Sequence, residues 1–588
     1  MENWVLINKR ADFELIMKEC GVSAVLARCL ANKGLTDIEQ IKGYLNPKLD
    51  GQHDPFLLAD MQKACELIWN KIKEGKSIRI IGDYDVDGVV ATYILYRTLL
   101  RLGARVSYDI PDRVNDGYGI NVRIVEAAYN DQIDTILTCD NGIAAIEQIE
   151  KAKQYNMTVI VTDHHSLVKA EDGSLLLPPA DAIINPQRPD CGYPFKGLCG
   201  AAVAYKLSLA LLKNQTDSDT SDFIRELVSF VAIATVCDVM DLVGENRIFV
   251  KHGLELLKST KNRGLLALMD AAGLAGTRLN TFHLGYIIGP CLNASGRLDT
   301  AKMGLGLLLA EKADEAARLA AELVELNNKR KSMTKKNVEK AVALIEGSSI
   351  KDDKILVVYL EDCHESIAGI IAGRIREKYN KPTIIFTDAH DCVKGSGRSI
   401  EQYNMIEELQ KHRHLFLKLG GHPMAAGMSL QKENIEQLRS LLNGTTSLTE
   451  KMLIPKVAID VHLPIAYVSE ALVKELEILE PFGKGNERPL FAEKNLRIRS
   501  AMIVGNNAGV KLRLADINGR SIEAVYFGDP AIFFKQIEGC FGANELRRLQ
   551  TGRSSNATIS ITYYPNINEY NGFRNLQLNI QNYKFQLQ

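Results

Sequence analysis

Residues 78–88 read Ile78-Arg79-Ile80-Ile81-Gly82-Asp83-Tyr84-Asp85-Val86-Asp87-Gly88. A short β-branched run stops at a glycine, three aspartates follow at alternate positions, and an apolar helical stretch then covers 89–102. A short strand that runs through a turn into a helix is half of a βαβ unit. The rhythm returns twice. A run at 135–139 ends in Thr138-Cys139-Asp140-Asn141-Gly142, a helical stretch covers 143–155, and a run at 158–162 ends in Thr162-Asp163-His164-His165. Ile143, Ile146, Ile149 and Ala152 form the one-sided stripe of a crossover helix. Short continuous apolar strands separated by such helices predict a buried parallel sheet.

In an open parallel sheet, ligands bind beyond the carboxyl ends of the strands. These three strand ends would project five aspartates and two histidines into one crevice. Such a density of negative charge repels itself unless cations occupy it. Carboxylates mixed with imidazole suit Mn²⁺, Mg²⁺ or Fe²⁺ better than a structural zinc. Any one Asp reads most simply as the cap of its following helix; the ensemble reads as a metal centre. A fourth segment, Val236-Cys237-Asp238-Val239-Met240-Asp241, follows an apolar helix at 228–234.

Working outward, residues 1–75 read as mostly helical, with a loop around 47–55. A long helix is expected at 311–346, with Glu311, Asp314 and Glu315 near its start and Leu319, Leu323 and Leu326 on one face. Its later part carries Lys329, Arg330, Lys331, Lys335 and Lys336, either a solvated face or a nucleic-acid contact. A second α/β pattern runs from a strand at 355–360 through a helix at 367–379 and a strand at 383–387 to about 442. Beyond the polar stretch 443–450 the chain is strand-like, at 497–504, 510–515, 521–527, 558–564 and 575–580. Strands so spaced suggest a small β-barrel.

The 588 residues allow three or four domains at ~100–200 residues each. Apolar content of 46% and charged content of 24% exclude a disordered or collagen-like chain. With 71 Lys plus Arg against 72 Asp plus Glu, any nucleic-acid contact must come from local patches. Apolar runs such as 305–310 fall far short of the ~20 residues that span a bilayer. The opening MENWVLINKRADFEL lacks the apolar core of a secretory signal. Eleven scattered cysteines without a CxxC pair predict reduced thiols and a cytoplasmic protein.

Further segments stand between these. They are Leu45-Asn46-Pro47, Asp112-Arg113 with Gly117-Tyr118-Gly119, Leu198-Cys199-Gly200-Ala201 and Asn293-Ala294-Ser295-Gly296-Arg297. Later come Gly395-Ser396-Gly397-Arg398-Ser399, the run Leu419-Gly420-Gly421-His422-Pro423-Met424-Ala425-Ala426-Gly427, and Pro481-Phe482-Gly483-Lys484-Gly485-Asn486. In this order the set resembles the DHH phosphoesterase superfamily and, within it, the single-strand-specific exonucleases. The resemblance covers nearly the whole chain. It implies an α/β protein: an N-terminal helical region plus a parallel-sheet DHH catalytic domain (1–310) and a connecting helix (311–347). A DHH-associated substrate-binding α/β domain (348–445) and an OB-like nucleic-acid-binding β-barrel (446–588) would follow.

By the same resemblance, Asp85, Asp87, Asp140, His164 and Asp238 are metal ligands for two divalent cations, Mn²⁺ or Mg²⁺, with Asp140 bridging. His165 would face the scissile phosphate or complete the coordination, and Asp83 and Asp163 would orient the ligands. Arg113, Arg297, Ser396 and Arg398 would bind the 5′-phosphate, with His422 beside the backbone phosphates. The implied activity is 5′→3′ hydrolysis of single-stranded DNA in repair and recombination. A monomer working with a helicase and a single-strand-binding protein, away from membranes, is implied too. Asn115-Asp116 stands where the family often has Glu, so Asp116 receives no role.

Several residues stay open. The glycines around Ser396 read as a phosphate-cradling loop or a plain turn, and His364 as functional or structural. Tyr526 and Phe527 read as stacking platform or core, and Cys139 as a small buried residue rather than a nucleophile. A DHH oligoribonuclease or cyclic-dinucleotide phosphodiesterase is the nearest alternative, but such chains lack a region like 450–588. A non-catalytic single-strand-binding replication relative would have lost the aspartates retained here.

Overall fold

The computed structural model describes residues 2–112, 119–169, 172–215, 217–298, 300–389, 391–505, 509–553, 555–570 and 573–585. It divides into two compact units, residues 49–455 and residues 1–48 with 456–588.

The larger unit opens with the expected parallel sheet. Strands β1 (Ser77–Ile81), β2 (Arg105–Asp109), β3 (Thr135–Cys139), β4 (Thr158–Thr162) and β5 (Ala182–Ile184) run in the order β2-β1-β3-β4-β5, all parallel. All five residues of β3 are buried, as a strand covered on both faces demands. Helices α1 (Val86–Arg101), α2 (Ile146–Gln154), α3 (Gly200–Leu212) and α4 (Ser218–Cys237) follow in sequence. The strand order reverses between β1 and β3, so the crevice at their carboxyl ends is the topological switch point. The register levels those ends. Ile81 stands opposite Thr138, and Cys139 opposite Thr162. Asp83, Asp140 and Asp163 therefore leave the sheet side by side. Strand β5, with only three residues, had no counterpart in the sequence reading.

Helix α5 (Gly289–Leu298) leads toward the 34-residue connecting helix α6 (Ala313–Glu346). Beyond it lie β6 (Leu356–Tyr359), α7 (Glu365–Tyr379), β7 (Thr383–Asp388), β8 (Val393–Arg398), β9 (Phe416–His422) and β10 (Ala425–Leu430). They form a mixed sheet in the order β9-β10-β8-β7-β6. The Gly395–Arg398 stretch is neither loop nor turn. It is the central strand β8, paired antiparallel with β7 and β10 on both sides, so its backbone amides serve the ladder. Alternating Gly395 and Gly397 read as a flexible loop because small residues give a strand no apolar signature.

The smaller unit holds the barrel: β11 (Phe491–Val504), β12 (Gly509–Ala515), β13 (Ser521–Tyr526), β14 (Thr558–Tyr570) and β15 (Phe573–Phe585). The order β11-β12-β13-β15-β14 closes through pairing of β11 with β14. Two helices, α8 (Pro530–Phe541) and α9 (Ala543–Gln550), interrupt a region expected to be strands. Their signal was present: Asp529 caps, Pro530 starts the helix, and Phe533, Phe534 and Ile537 recur at helical spacing.

Residues 1–48 pack with this barrel, whereas the sequence reading joined them to the catalytic sheet. Leu26, Leu30 and Ile41 are buried in one core with Val461, Phe533 and Ile559. Strand Asn3–Leu6 pairs with Lys456–Ile459. Asn486 of the Pro481–Asn486 motif is the clasp. Its amide donates to the carbonyls of Leu479 (2.9 Å) and Pro481 (2.8 Å), while its oxygen accepts from the Tyr44 hydroxyl (2.7 Å). Contacts so distant in sequence leave no periodic signature.

Candidate metal centre

The loop after β1 turns directly into α1. Asp85 is the N-cap of α1, its Oδ1 accepting from the Gly88 amide at 3.1 Å. Asp83 is buried one turn earlier and accepts from the Gly119 amide at 3.2 Å. Asp140, at the end of β3, adopts a left-handed φ of 60°. A non-glycine residue held there is strained, and such strain concentrates at functional sites. Asn141 braces the bend. Its Nδ2 donates to the carbonyls of Ile81 (3.0 Å) and Cys139 (2.9 Å), and its Oδ1 accepts from Ile120 N–H (3.2 Å). The sequence reading assigned Asn141 no task, although its place at the strand end was visible.

Three overlapping groups bring potential ligand atoms within 4.8 Å of one another: Asp83, Asp85 and Asp140; Asp87, His164 and Asp238; and Asp140, His164 and His165. Nε2 of His164 lies 3.0 Å from Asp140 Oδ1 and 3.7 Å from both Asp87 Oδ2 and Asp238 Oδ2. That nitrogen is buried and makes no hydrogen bond among the described residues. Burial lowers the His164 pKa, favouring the neutral imidazole that metals require. Burial and then neighbouring carboxylates push Asp140 and Asp83 well above the usual range, and Asp85 up. Acidic oxygens forced this close, with a buried imidazole nitrogen facing them, fit divalent cations with mixed oxygen and nitrogen donors.

Two of these carboxylates have further neighbours. Asp83 lies in one group with Asp85 and Asp140. Asp87 turns both oxygens to helix α3, accepting from the amides of Gly200 (2.6 Å) and Ala201 (2.8 Å). The Leu198–Ala201 segment thus supplies a helix N-terminus to a buried carboxylate. Gly200 is also sterically required, because a Cβ there would sit 2.6 Å from Asp140 Oδ1.

Asp163 is bonded to the segment that carries both histidines. Its Oδ1 accepts from the backbone amides of His164 (2.7 Å) and His165 (3.0 Å) and lies 2.7 Å from His165 Nδ1; Oδ2 accepts from Ile143 N–H at 2.9 Å. Against the cost of burial, the His165 contact holds Asp163 below the usual range, and Asp163 raises His165 to about 9. Cys139 is buried and its pKa is pushed up to about 12 by burial, which removes it as a nucleophile.

The other candidates fall into two groups. Arg297 on α5 donates through Nη1 to the Ser366 carbonyl in the first turn of α7 (2.7 Å). Ser396 and Arg398 of β8 reach the same turn, lying 2.8 and 2.7 Å from where a Gly369 Cβ would stand. Arg297, Ser396 and Arg398 therefore converge on the start of α7. His422, ending β9, borders a cavity with His165 and Asp163. Arg113 and Asp116 lie outside the described residues. His364 is the N-cap of α7, its Nδ1 accepting from Ser366 N–H at 3.3 Å. Tyr526 packs edge-on against Tyr583 in the barrel core, whereas Phe527 is 68% exposed. Arg330 is half-buried against Asn327, while Lys329, Lys331, Lys335 and Lys336 are exposed.

Comparison with known proteins follows the same division. The DHH family N-terminal domain matches residues 77–235, the DHHA1 domain residues 352–447 and the RecJ OB domain residues 459–582. The single-stranded-DNA-specific exonuclease RecJ of Escherichia coli (strain K12) is 32% identical over 601 residues, covering 99% of both chains. RecJ of Bacillus subtilis (strain 168) is 33% identical over 571 residues, 96% of this chain and 68% of its own. The crystal structure of Thermus thermophilus RecJ in complex with Mn²⁺ superposes with a TM-score of 0.81 at 25% identity, covering 99% of this chain and 79% of that one. Sheet, connecting helix, second lobe and barrel recur in one order, with sequence identity from end to end, and the chain belongs to the RecJ family of DHH proteins.

Proposed function

We propose that the protein is a metal-dependent exonuclease that hydrolyses single-stranded DNA from its 5′ end, serving repair and recombination. The observation that carries this reading is the convergence of Asp83, Asp85, Asp87, Asp140, His164, His165 and Asp238 within ligand distance at the switch point of the sheet. RecJ proteins named as single-stranded-DNA-specific exonucleases, and a relative's complex with Mn²⁺, support it. Asp85, Asp87, Asp140, His164 and Asp238 would hold two divalent cations, Mn²⁺ or Mg²⁺, with Asp83 and Asp163 fixing the positions of their neighbours. Such a pair supplies Lewis-acid polarisation of the phosphodiester and a water acidic enough to attack it.

The protein's own groups do the rest. Asp163 raises the His165 pKa and fixes its ring, a donor for the phosphate as negative charge builds on its oxygens. Ser396, Arg398 and Arg297, gathered at the first turn of α7, offer a hydroxyl and two guanidinium forks to a terminal phosphate. A helicase and a single-strand-binding protein would present the substrate to this monomer. Eleven free thiols and no described helix able to cross a membrane support a cytoplasmic setting.

Degradation of end-labelled single- and double-stranded DNA and RNA, with Mg²⁺ or Mn²⁺, tests the reading. Single-stranded DNA should shorten from the 5′ end, blunt duplex should persist, and a folded Asp140→Ala protein should be inactive. Near-normal turnover by that variant, or equal attack on blunt duplex, would overturn it.

A further inference from the structure

Helix α5 ends in Gly296-Arg297-Leu298. Glycine inside a helix is unfavourable relative to alanine, so one there calls for a reason of space. At Gly296 the reason is the backbone of the loop that carries the first aspartates: a Cβ would stand 2.6 Å from the Tyr84 carbonyl oxygen. The loop is braced by Gly88 as well, where a Cβ would stand 2.5 Å from both the backbone nitrogen and the backbone oxygen of Asp83. Tyr84 lies between Asp83 and Asp85, which share one carboxylate group with Asp140. The next residue of α5, Arg297, donates to the Ser366 carbonyl at 2.7 Å and so joins Ser396 and Arg398 at the start of α7. We propose that Gly296 is a positioning residue, whose direct contact with Tyr84 sets the spacing between the metal centre and the terminal-phosphate group. The inference rests on the exonuclease reading and adds to it the means by which a strand held at its end meets the cations in one register.

The route between the two sites runs through Tyr84, Gly296 and Arg297, from backbone to backbone until the Arg297 side chain, so a change of spacing at one end reaches the other. Carbon–oxygen contacts settle at about 3.3–3.6 Å, so in Gly296→Ala the new methyl would push α5 off the loop by about 0.7 Å. Arg297 would move with the helix, while Asp83 and Asp85 stay with the loop. No candidate metal ligand and no phosphate-binding group is removed. A strand anchored by its 5′-phosphate would then carry its scissile phosphodiester out of line with the metals. A strand ending in a 5′-hydroxyl lacks that anchor and would settle where the metals draw it. A misplacement of 1 Å at a reacting centre costs on the order of a hundredfold, so the smaller shift here should cost about tenfold, and only for the anchored strand.

The kcat and KM of the Mn²⁺-loaded full-length protein, measured on 3′-labelled single strands bearing a 5′-phosphate or a 5′-hydroxyl, test this role. Gly296→Ala should lower the ratio of the two kcat values, phosphate over hydroxyl, about tenfold from wild type. KM for the phosphorylated strand, and the affinity for Mn²⁺ by calorimetry, should stay within about twofold, since neither site loses a group. Should the single variant fail to fold, Gly296→Ala combined with Ala301→Gly carries the same comparison. The Ala301 Cβ stands 3.3 Å from where the new methyl would sit, and its removal widens that space. Both strands are read on one protein, so a general loss of structure does not alter the ratio. A ratio within twofold of wild type in a folded variant, a fall shared equally by both ends, or a loss carried by KM overturns the positioning role. Cleavage by the wild type beside an unchanged ratio in the variant removes that role and leaves the exonuclease reading. A wild type that leaves single strands intact overturns both.

Discussion

At the scale of single residues, the centre depends on what is missing as much as on what is present. Gly200 bears no side chain because Asp140 occupies the space a Cβ would need, while its amide holds Asp87. The change Gly200→Ala would push the Asp140 carboxylate aside without removing any candidate ligand. A displacement near 1 Å at a reacting centre costs on the order of a hundredfold. Turnover on labelled single strands should therefore fall by about that factor, while the circular-dichroism spectrum and melting temperature stay near wild type. Turnover within twofold of wild type would mean that Asp140 need not be held so closely. The presence of this centre was legible in the sequence, since three acidic strand ends meeting in one crevice repel one another without cations. The direction in which Asp87 faces was not. Alternate spacing puts three carboxylates near one point, but the amides of Gly200 and Ala201, more than a hundred residues away, determine where Asp87 faces.

At the scale of elements, β8 shows how a motif can be found and its conformation misread. The sequence reading offered the Ser396 hydroxyl and the Arg398 fork as candidates to bind a phosphate but missed the strand, since two glycines in six residues argue against one. What makes the strand workable is α7, which lays Gly369 under Ser396 and Arg398. Arg398→Ala removes a charge-assisted contact worth roughly 1.5–3 kcal/mol. Use of 5′-phosphorylated DNA should fall about ten- to a hundredfold, at ~1.4 kcal/mol per decade, and most of the preference over 5′-hydroxyl ends should vanish. Gly369→Ala should reproduce part of that loss by displacing both side chains. Competition between 5′-phosphorylated and 5′-hydroxyl strands measures it. Full preference retained by Arg398→Ala would place end recognition elsewhere.

At the scale of the whole molecule, the chain begins and ends in the same unit. The parallel sheet, the long helix and the barrel strands were legible because each repeats a local period. The return of residues 1–48 to the barrel was not, because it rests on contacts such as Ser23 to Glu475, Asn32 to Asp460 and Tyr44 to Asn486. Leu26, Leu30 and Ile41 have no solvent exposure, and burying three such side chains is worth about 5–9 kcal/mol. A domain's whole stability is about 5–15 kcal/mol, so the barrel should not survive loss of that segment. Residues 456–588 produced alone should therefore bind a hydrophobic dye and aggregate, and should melt cooperatively once residues 1–48 are fused to them. Residues 49–455 carry the sheet core and the second-lobe cores within themselves. They should fold alone and bind Mn²⁺ by calorimetry as the full chain does. A soluble, cooperatively melting 456–588 fragment would show that the first 48 residues merely decorate the barrel, and an unfolded 49–455 fragment would show that the catalytic unit draws stability from outside its own cores.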